Sequence, residues 1–261
     1  MNETEVLFTR LLDCDRGYLY LHGDRKLTRE EGRSIAGALR RRMGGEPLEY
    51  ILGDCEFMGL EFLVNRDVLI PRPETELLVE ACLSRAKTAL RPGDTILDIG
   101  TGSGCIAVSL AKSLPSAKII AVDLSPEALA VAVENARRNK VGGRIDFIRA
   151  DVAGENALPE CAMVVSNPPY VRSEEIDGLQ AEVRREPRTA LDGGEDGLDC
   201  YRAIARRASG CLKKGGFLLL EIGAGQAAGV KAILTARGMF VIREIVRDYA
   251  SIERVVVAQR V

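Results

Sequence analysis

The run Ser166-Asn167-Pro168-Pro169-Tyr170, directly after the apolar Met163-Val164-Val165, holds the residues best placed to do chemistry. Asn-Pro marks turns in general, but two consecutive prolines do more. Each fixes its own φ, and Asn167 and Pro168 both precede a proline and are pushed to extended geometry, so the predicted loop is stiff. Neither proline offers an N–H. The edge therefore presents acceptors, namely the Asn167 side-chain oxygen and a main-chain carbonyl, that of Pro168 fitting best. Two converging acceptors match the two hydrogens of a planar –NH2 group. The nitrogen of an amide or aromatic amine is a weak nucleophile because its lone pair is delocalised; holding both hydrogens aims that pair at an electrophile. Tyr170 is expected to stack on the planar group. Attack on an electrophile that is already activated needs chiefly positioning, which supplies roughly 7–11 kcal/mol in favourable cases. No general base of shifted pKa is demanded.

A second constellation could carry the donor. Asp98-Ile99-Gly100-Thr101-Gly102-Ser103-Gly104 follows a short apolar run and precedes an apolar helical segment from Ile106 to Leu114. Glycines there allow a tight turn and close approach to a ligand. A dinucleotide fingerprint would place its third glycine where this chain has Cys105, so pyrophosphate is disfavoured. Asp123 lies about 20 residues on, at the end of the next strand, where an acid bonds ribose hydroxyls. Asp151, with Val152 beside it, ends the third strand; alone, it reads equally well as a helix cap or turn residue. S-adenosylmethionine carries ribose, adenine and a methionine tail but no phosphate, which suits acids on successive strand ends better than a lysine-bearing phosphate loop. Its expected binding set is Gly100, Thr101, Gly102, Ser103, Gly104, Asp123, Asp151 and Val152, with Asn167 touching it only marginally.

These groups need elements to hold them. After Pro92-Gly93, β-rich runs alternate with helical segments, which predicts an α/β fold with a mostly parallel sheet covered on both faces. The strands are expected at Thr95 to Ile99, Lys118 to Val122, Arg144 to Arg149, Met163 to Ser166, Phe217 to Ile222, Phe240 to Val246 and Arg254 to Ala258, the last two antiparallel. Before them, Thr28 with Glu31 three residues later opens an amphipathic helix carrying Ile35, Ala38, Leu39 and Met43 and ending at Gly44-Gly45. With the apolar stretch from Val6 to Leu12, it predicts a helical domain over residues 1–48. Tyr50 to Leu52 and Phe57 to Val64, around Gly53 and Gly59, read as a β-hairpin linker over 49–70. Pro71-Arg72-Pro73-Glu74 opens a helix through about Lys87, at the start of a catalytic domain over 71–261.

Composition narrows the class. Lys+Arg 36 against Asp+Glu 38 leaves a net charge of -2, so no broad positive field exists to hold nucleic acid by counterion release. Seven scattered cysteines without a Cys-x-x-Cys pair point to a reducing cytoplasm and mostly to small core residues. A single histidine, His22, leaves almost no material for a metal site or a serine triad. No leader or membrane-length apolar run is expected.

Beyond these local readings, the chain closely resembles the release factor glutamine methyltransferases, the PrmC/HemK family. The resemblance runs through Gly45-Glu46-Pro47-Leu48-Glu49-Tyr50-Ile51-Leu52-Gly53, Leu69-Ile70-Pro71-Arg72-Pro73-Glu74-Thr75-Glu76, and the Asp98 to Gly104 loop. It continues in Asn167-Pro168-Pro169-Tyr170, Glu186-Pro187-Arg188, Ala190 to Leu198, Arg247-Asp248-Tyr249 and Glu253-Arg254-Val255. The Asn-Pro-Pro-Tyr and glycine loops are shared with adenine-N6 and guanine-N2 methyltransferases, whereas the Pro-Arg-Pro-Glu-Thr-Glu and Glu-Pro-Arg segments are family-specific. The resemblance implies a Rossmann-like class I fold with a seven-stranded sheet. It implies transfer of methyl from S-adenosylmethionine, leaving S-adenosylhomocysteine, to the amide N5 of the glutamine in the Gly-Gly-Gln motif of class-1 release factors. Asn167, Pro168, Pro169 and Tyr170 would act on the acceptor, with Arg72 also binding it, and Asp151 and Val152 would face the adenine. The enzyme would be a cytoplasmic monomer whose helical domain grips the protein substrate, without stable nucleic-acid or membrane partners. Family members usually carry a leading helix before the segment that here begins at Asn2, so a trimmed docking surface is expected. The competing reading is methylation of adenine N6 or another exocyclic amine in nucleic acid.

Overall fold

The computed structural model describes residues 2–154, 158–236 and 238–261. Its N-terminal part is helical. Helix α1 (Glu3–Leu11) starts on a reciprocal capping box between Asn2 and Glu5. Helix α2 (Arg16–Leu21), capped by Asp15, has no buried residue, which is why no apolar period announced it. Helix α3 (Arg29–Met43) carries the expected Thr28/Glu31 box and buries Ile35 and Ala38. Leu39 and Met43 do not join that stripe: they are 38% and 87% exposed.

The expected first arm of the hairpin is wrong. Tyr50 to Leu52 belong to a short helix, α4 (Leu48–Leu52), opened by Pro47 and stopped by Gly53 at φ 88°. Proline at the entry and a left-handed glycine at the exit are helix punctuation, and they outweigh the β propensity of Tyr50 and Ile51. The hairpin proper is β1 (Asp54–Phe57) against β2 (Leu60–Leu63), turning on Met58 and Gly59, both at positive φ.

The remaining elements alternate. They are α5 (Pro73–Ala89), β3 (Thr95–Ile99), α6 (Cys105–Ser113), β4 (Lys118–Asp123), α7 (Pro126–Arg138), β5 (Ile145–Arg149) and β6 (Cys161–Ser166), then α8 (Asp199–Cys211), β7 (Leu212–Glu221), α9 (Ala227–Thr235), β8 (Phe240–Arg247) and β9 (Glu253–Arg260). The seven-stranded sheet has the order β5-β4-β3-β6-β7-β9-β8. All pairs are parallel except β7 with β9 and β8 with β9. Strand β7 begins five residues before the expected Phe217: Leu212 already pairs with Cys161, and Lys213 to Gly216 form an irregular polar stretch that hides the start.

Successive residues of each strand point to opposite faces, which gives two cores. Ile96, Ile119, Met163 and Leu219 meet Leu78 and Cys82 of α5 and Leu110 of α6 on one face. Leu97, Ile120, Val164 and Leu218 meet Tyr201 and Ile204 of α8 and Val230 of α9 on the other. The chain adds β4 and β5 on one side of β3, then returns to lay β6 and β7 on the other. Ligands of such sheets bind at that reversal, outside the carboxyl ends of the strands. All seven cysteines are free thiols. Among the described residues, no helix is long and apolar enough to cross a membrane.

Candidate active site

The reversal brings together the two loops singled out above. The Ser166 hydroxyl at the end of β6 donates to the Ile99 carbonyl at the end of β3 at 2.6 Å, tying the Asn-Pro-Pro-Tyr loop to the glycine loop.

Within the glycine loop, Gly100 and Gly102 have positive φ, and a side chain at either would point into open space. Gly104 differs. It caps α6, and a Cβ there would lie 3.0 Å from the Ala132 Cβ, so this glycine serves helix packing rather than ligand approach. Asp123 braces the loop from β4: its Oδ2 accepts from the Gly102 N–H at 2.8 Å and its Oδ1 from the Ser125 N–H at 3.0 Å. Each oxygen keeps a further lone pair for a ribose hydroxyl. Asp151 lies exposed just past β5, its Oδ1 accepting from the Ala153 N–H at 2.7 Å in a local turn. Val152 packs partly against the second core.

Asp98 escaped the residue-level reading. It is fully buried; Oδ2 accepts from the Thr101 hydroxyl at 2.6 Å, while Oδ1 has no partner. Burial pushes its carboxyl up to about 7, against the opposing pull of the Thr101 hydroxyl. A buried acceptor left unpaired calls for a donor or a cation, and the α-ammonium of S-adenosylmethionine is one. Together with open space over Gly100 and Gly102 and the spare lone pairs of Asp123, these residues fit that donor. The sign that could have found Asp98 is a lone acid between Leu97 and Ile99, in a buried strand that runs straight into the glycine loop. Asn135 was missed as well: buried in α7, it accepts from the Leu63 N–H and donates to the carbonyls of Leu63 and Ser103, locking the hairpin to the glycine loop.

On the acceptor side, Asn167 is half-buried and Pro168 buried. Asn167 Nδ2 donates to Thr75 Oγ1 at 3.0 Å, and among the described residues no donor reaches its Oδ1. Tyr170 packs partly on the second core, and burial pushes its phenol up to about 12. The Ala190 to Leu198 segment wraps this loop. Val171 N–H donates to the Leu191 carbonyl at 2.9 Å and Gly193 N–H to the Val171 carbonyl at 2.8 Å, while Gln226 Nε2 donates to the Tyr170 carbonyl at 2.9 Å. A Cβ on Gly197 would fall 2.6 Å from the Tyr170 carbonyl oxygen.

Arg72, expected at the substrate, is engaged inside the protein. It forms an ion pair with Glu186, whose side chain is 1% exposed and whose Oε2 accepts from the Ile70 N–H at 3.1 Å. Burial raises the Glu186 carboxyl, and Arg72 opposes it.

Comparison with known proteins agrees with this architecture. The methyltransferase small domain family matches residues 73–236, and the PrmC N-terminal domain family matches residues 1–53. Release factor glutamine methyltransferase of Geobacter sulfurreducens is 46% identical over 90% of this chain and 81% of its own length. The proteins of the same name from Thermodesulfovibrio yellowstonii and Moorella thermoacetica are 41% and 42% identical over 100% and 99% of this chain, covering 92% and 90% of theirs. Among solved structures, TrmN from Thermus thermophilus superposes with TM-score 0.52 at 22% identity, over 100% of this chain and 80% of that one. A ribosomal protein L11 methylase from Lactobacillus delbrueckii gives 0.53 at 20% identity, over 76% and 83%. These two share the fold.

Fold, glycine loop and strand-end acids define a class I methyltransferase, with S-adenosylmethionine as the methyl donor. Within that class the identity extends over both the helical N-terminal region and the catalytic part. The chain belongs to the release factor glutamine methyltransferase family.

Proposed function

We propose that this enzyme methylates the side-chain amide nitrogen of a glutamine in class-1 release factors, the glutamine of their Gly-Gly-Gln motif. The observation that carries the reading is the fixed Asn167 amide: its nitrogen is bound to Thr75, which leaves Oδ1 for one hydrogen of an incoming –NH2 group. The Pro168 carbonyl takes the other hydrogen, and Tyr170 backs the amide plane. Held this way, the acceptor nitrogen directs its lone pair at the sulfonium methyl. A nitrogen–carbon bond forms as the carbon–sulfur bond breaks, and the electron pair of the latter stays on sulfur in S-adenosylhomocysteine. The methylated amide then sheds one proton to water. S-adenosylmethionine supplies the activated methyl; Gly100 to Ser103 and Asp98 hold its methionine part, Asp123 its ribose, and Asp151 and Val152 border the adenine.

The helical residues 1–48 grip the protein substrate, and Arg72 shapes the acceptor side through Glu186. The enzyme acts in the cytoplasm as a monomer and binds no nucleic acid stably, in keeping with a net charge of -2. Labelled-methyl transfer from S-adenosylmethionine to a release factor, DNA and RNA tests the reading. Label on the release factor glutamine is expected; label on nucleic acid alone would overturn it in favour of exocyclic-amine methylation.

A further inference from the structure

Behind Asn167 lies another buried acid, one that the methyl-transfer scheme leaves without a task. Glu221 ends β7, 2% exposed, with its backbone carbonyl held by the Tyr201 hydroxyl at 3.0 Å. Because Ser166 pairs with Leu220 in the parallel β6–β7 ladder, Asn167 and Glu221 leave the sheet side by side. Thr75, from the first turn of α5, is 2% exposed and accepts from Asn167 Nδ2. Glu221 Oε2 is buried and has no partner of its own. The core could have used an apolar residue here at far lower cost, since an unpaired buried carboxylate is expensive.

We propose that Glu221 is a positioning residue, acting through Thr75 and on the neighbouring Asn167 to fix which end of the Asn167 amide faces the methyl acceptor. This rests on the acceptor role of Asn167 proposed above.

An asparagine amide has two nearly isosteric orientations, one presenting oxygen and the other presenting N–H groups. With oxygen outward, the site accepts from an –NH2 group; with nitrogen outward, it repels one. An ionised carboxylate is acceptor-only, so it draws the Thr75 hydroxyl hydrogen and an Asn167 N–H towards itself. Thr75 Oγ1 is then left as an acceptor for the other Asn167 N–H, and both amide hydrogens are spent inward. Oδ1 must face the site. If Glu221 is protonated it can donate, and the constraint slackens. Burial pushes its carboxyl up to about 7, opposed chiefly by the Thr75 hydroxyl. The other groups facing it are Glu74, which raises it further, Arg254 and the Asn167 amide, which lower it, and the Tyr170 and Tyr201 phenols, which burial keeps neutral.

The test uses single-turnover methyl transfer to intact release factor, across pH, at saturating S-adenosylmethionine. In the parent enzyme the rate should rise through about pH 7 as Glu221 ionises. Glu221→Gln should lower the plateau roughly ten- to a hundred-fold, the range set by one hydrogen bond to a charged group, and flatten that limb, with cofactor affinity unchanged. Thr75→Val should behave like Glu221→Gln, and Thr75→Ser should restore the rate. In an Asn167→Ala background, Glu221→Gln should cost nothing further. If Asn167→Ala is impaired but Glu221→Gln keeps the parental rate and the limb, this proposal falls while the acceptor role of Asn167 stands. A limb that persists in Glu221→Gln belongs to another group, such as Asp98, and also overturns it. If Asn167→Ala itself transfers methyl at the parental rate, the underlying reading fails first.

Discussion

The Arg72 guanidinium pairs with the buried Glu186 carboxylate across 114 residues of sequence, joining the segment that opens α5 to the Glu-Pro-Arg segment beyond the Asn-Pro-Pro-Tyr loop. Both segments belong to those through which the resemblance to the family runs, and they meet each other. Arg72 is one-third exposed, so its guanidinium is held largely by the protein. Removing it leaves Glu186 buried with only the Ile70 N–H. Arg72→Met should therefore destabilise the fold by about 3–5 kcal/mol, the cost of stranding one half of a buried pair. The double substitution Arg72→Met/Glu186→Gln should recover most of it. Urea unfolding near neutral pH checks both; an Arg72→Met variant as stable as the parent would show that the pair is a surface ornament.

Asp123→Ala should weaken S-adenosylmethionine binding by roughly ten- to a hundred-fold, the range for one charge-assisted hydrogen bond. It also frees the Gly102 N–H from its brace, so affinity and loop order should fall together. Calorimetry giving the parental affinity would remove Asp123 from the ribose site.

Gly197 stands at φ 74°, and a Cβ there would meet the Tyr170 carbonyl oxygen and, at 2.8 Å, Gln226 Nε2. Gly197→Ala should displace the Tyr170 end of the loop and lower kcat about a hundred-fold, as small misplacements at reacting groups do. Cofactor affinity should stay within a few-fold, since the glycine loop is not touched. Parallel loss of both would mean general unfolding rather than loss of the loop's edge.

Glu221 also makes a stability prediction. Its carboxyl sits at about 7 when folded against 4.5 when free, so between those values the folded state binds more protons than the unfolded one. Its contribution is full below about pH 4.5 and is lost as pH rises through about 7. Glu221→Gln should thus melt higher than the parent at about pH 8, by up to roughly 3 kcal/mol, with the gap closing towards about pH 5. A more stable but slower enzyme is the usual outcome of relaxing a strained site. Equal melting of the two proteins at every pH would contradict the burial cost.

Much of this was legible in residue order because the chemistry depends on backbone punctuation. The glycine loop, Asp123 and Asn-Pro-Pro-Tyr each follow a short β-rich run, so strand ends and loops could be placed together. The antiparallel close of the sheet was equally plain, because nothing helical separates β8 from β9. What stayed hidden involves long-range burial. Thr75, Glu221 and Asn135 are ordinary polar residues in sequence, and only the packing of α5 and α7 and the β6–β7 pairing bring them to the loops. The engagement of Arg72, expected at the substrate, by Glu186 stayed hidden because 114 residues separate the two. The α4 helix was misread because Tyr50 and Ile51 have strand propensity, whereas Pro47 and Gly53 decide the local conformation.

Asn167 bears the central claim. Single-turnover reactions with a release factor, followed by mass spectrometry of its glycine-flanked glutamine, measure that claim directly. The parent should place one methyl on the glutamine side-chain amide. Asn167→Ala should do so about a hundred- to a thousand-fold more slowly, the cost of losing one positioned hydrogen-bonding group, with S-adenosylmethionine affinity within a few-fold. Asn167→Asp would set a second carboxylate against Glu221, removing the amide that lowers the Glu221 carboxyl and raising that carboxyl further, so this variant should lose activity as pH rises and the pair ionises. Methyl found elsewhere than on that amide, or an Asn167→Ala enzyme that transfers at the parental rate, would contradict the account.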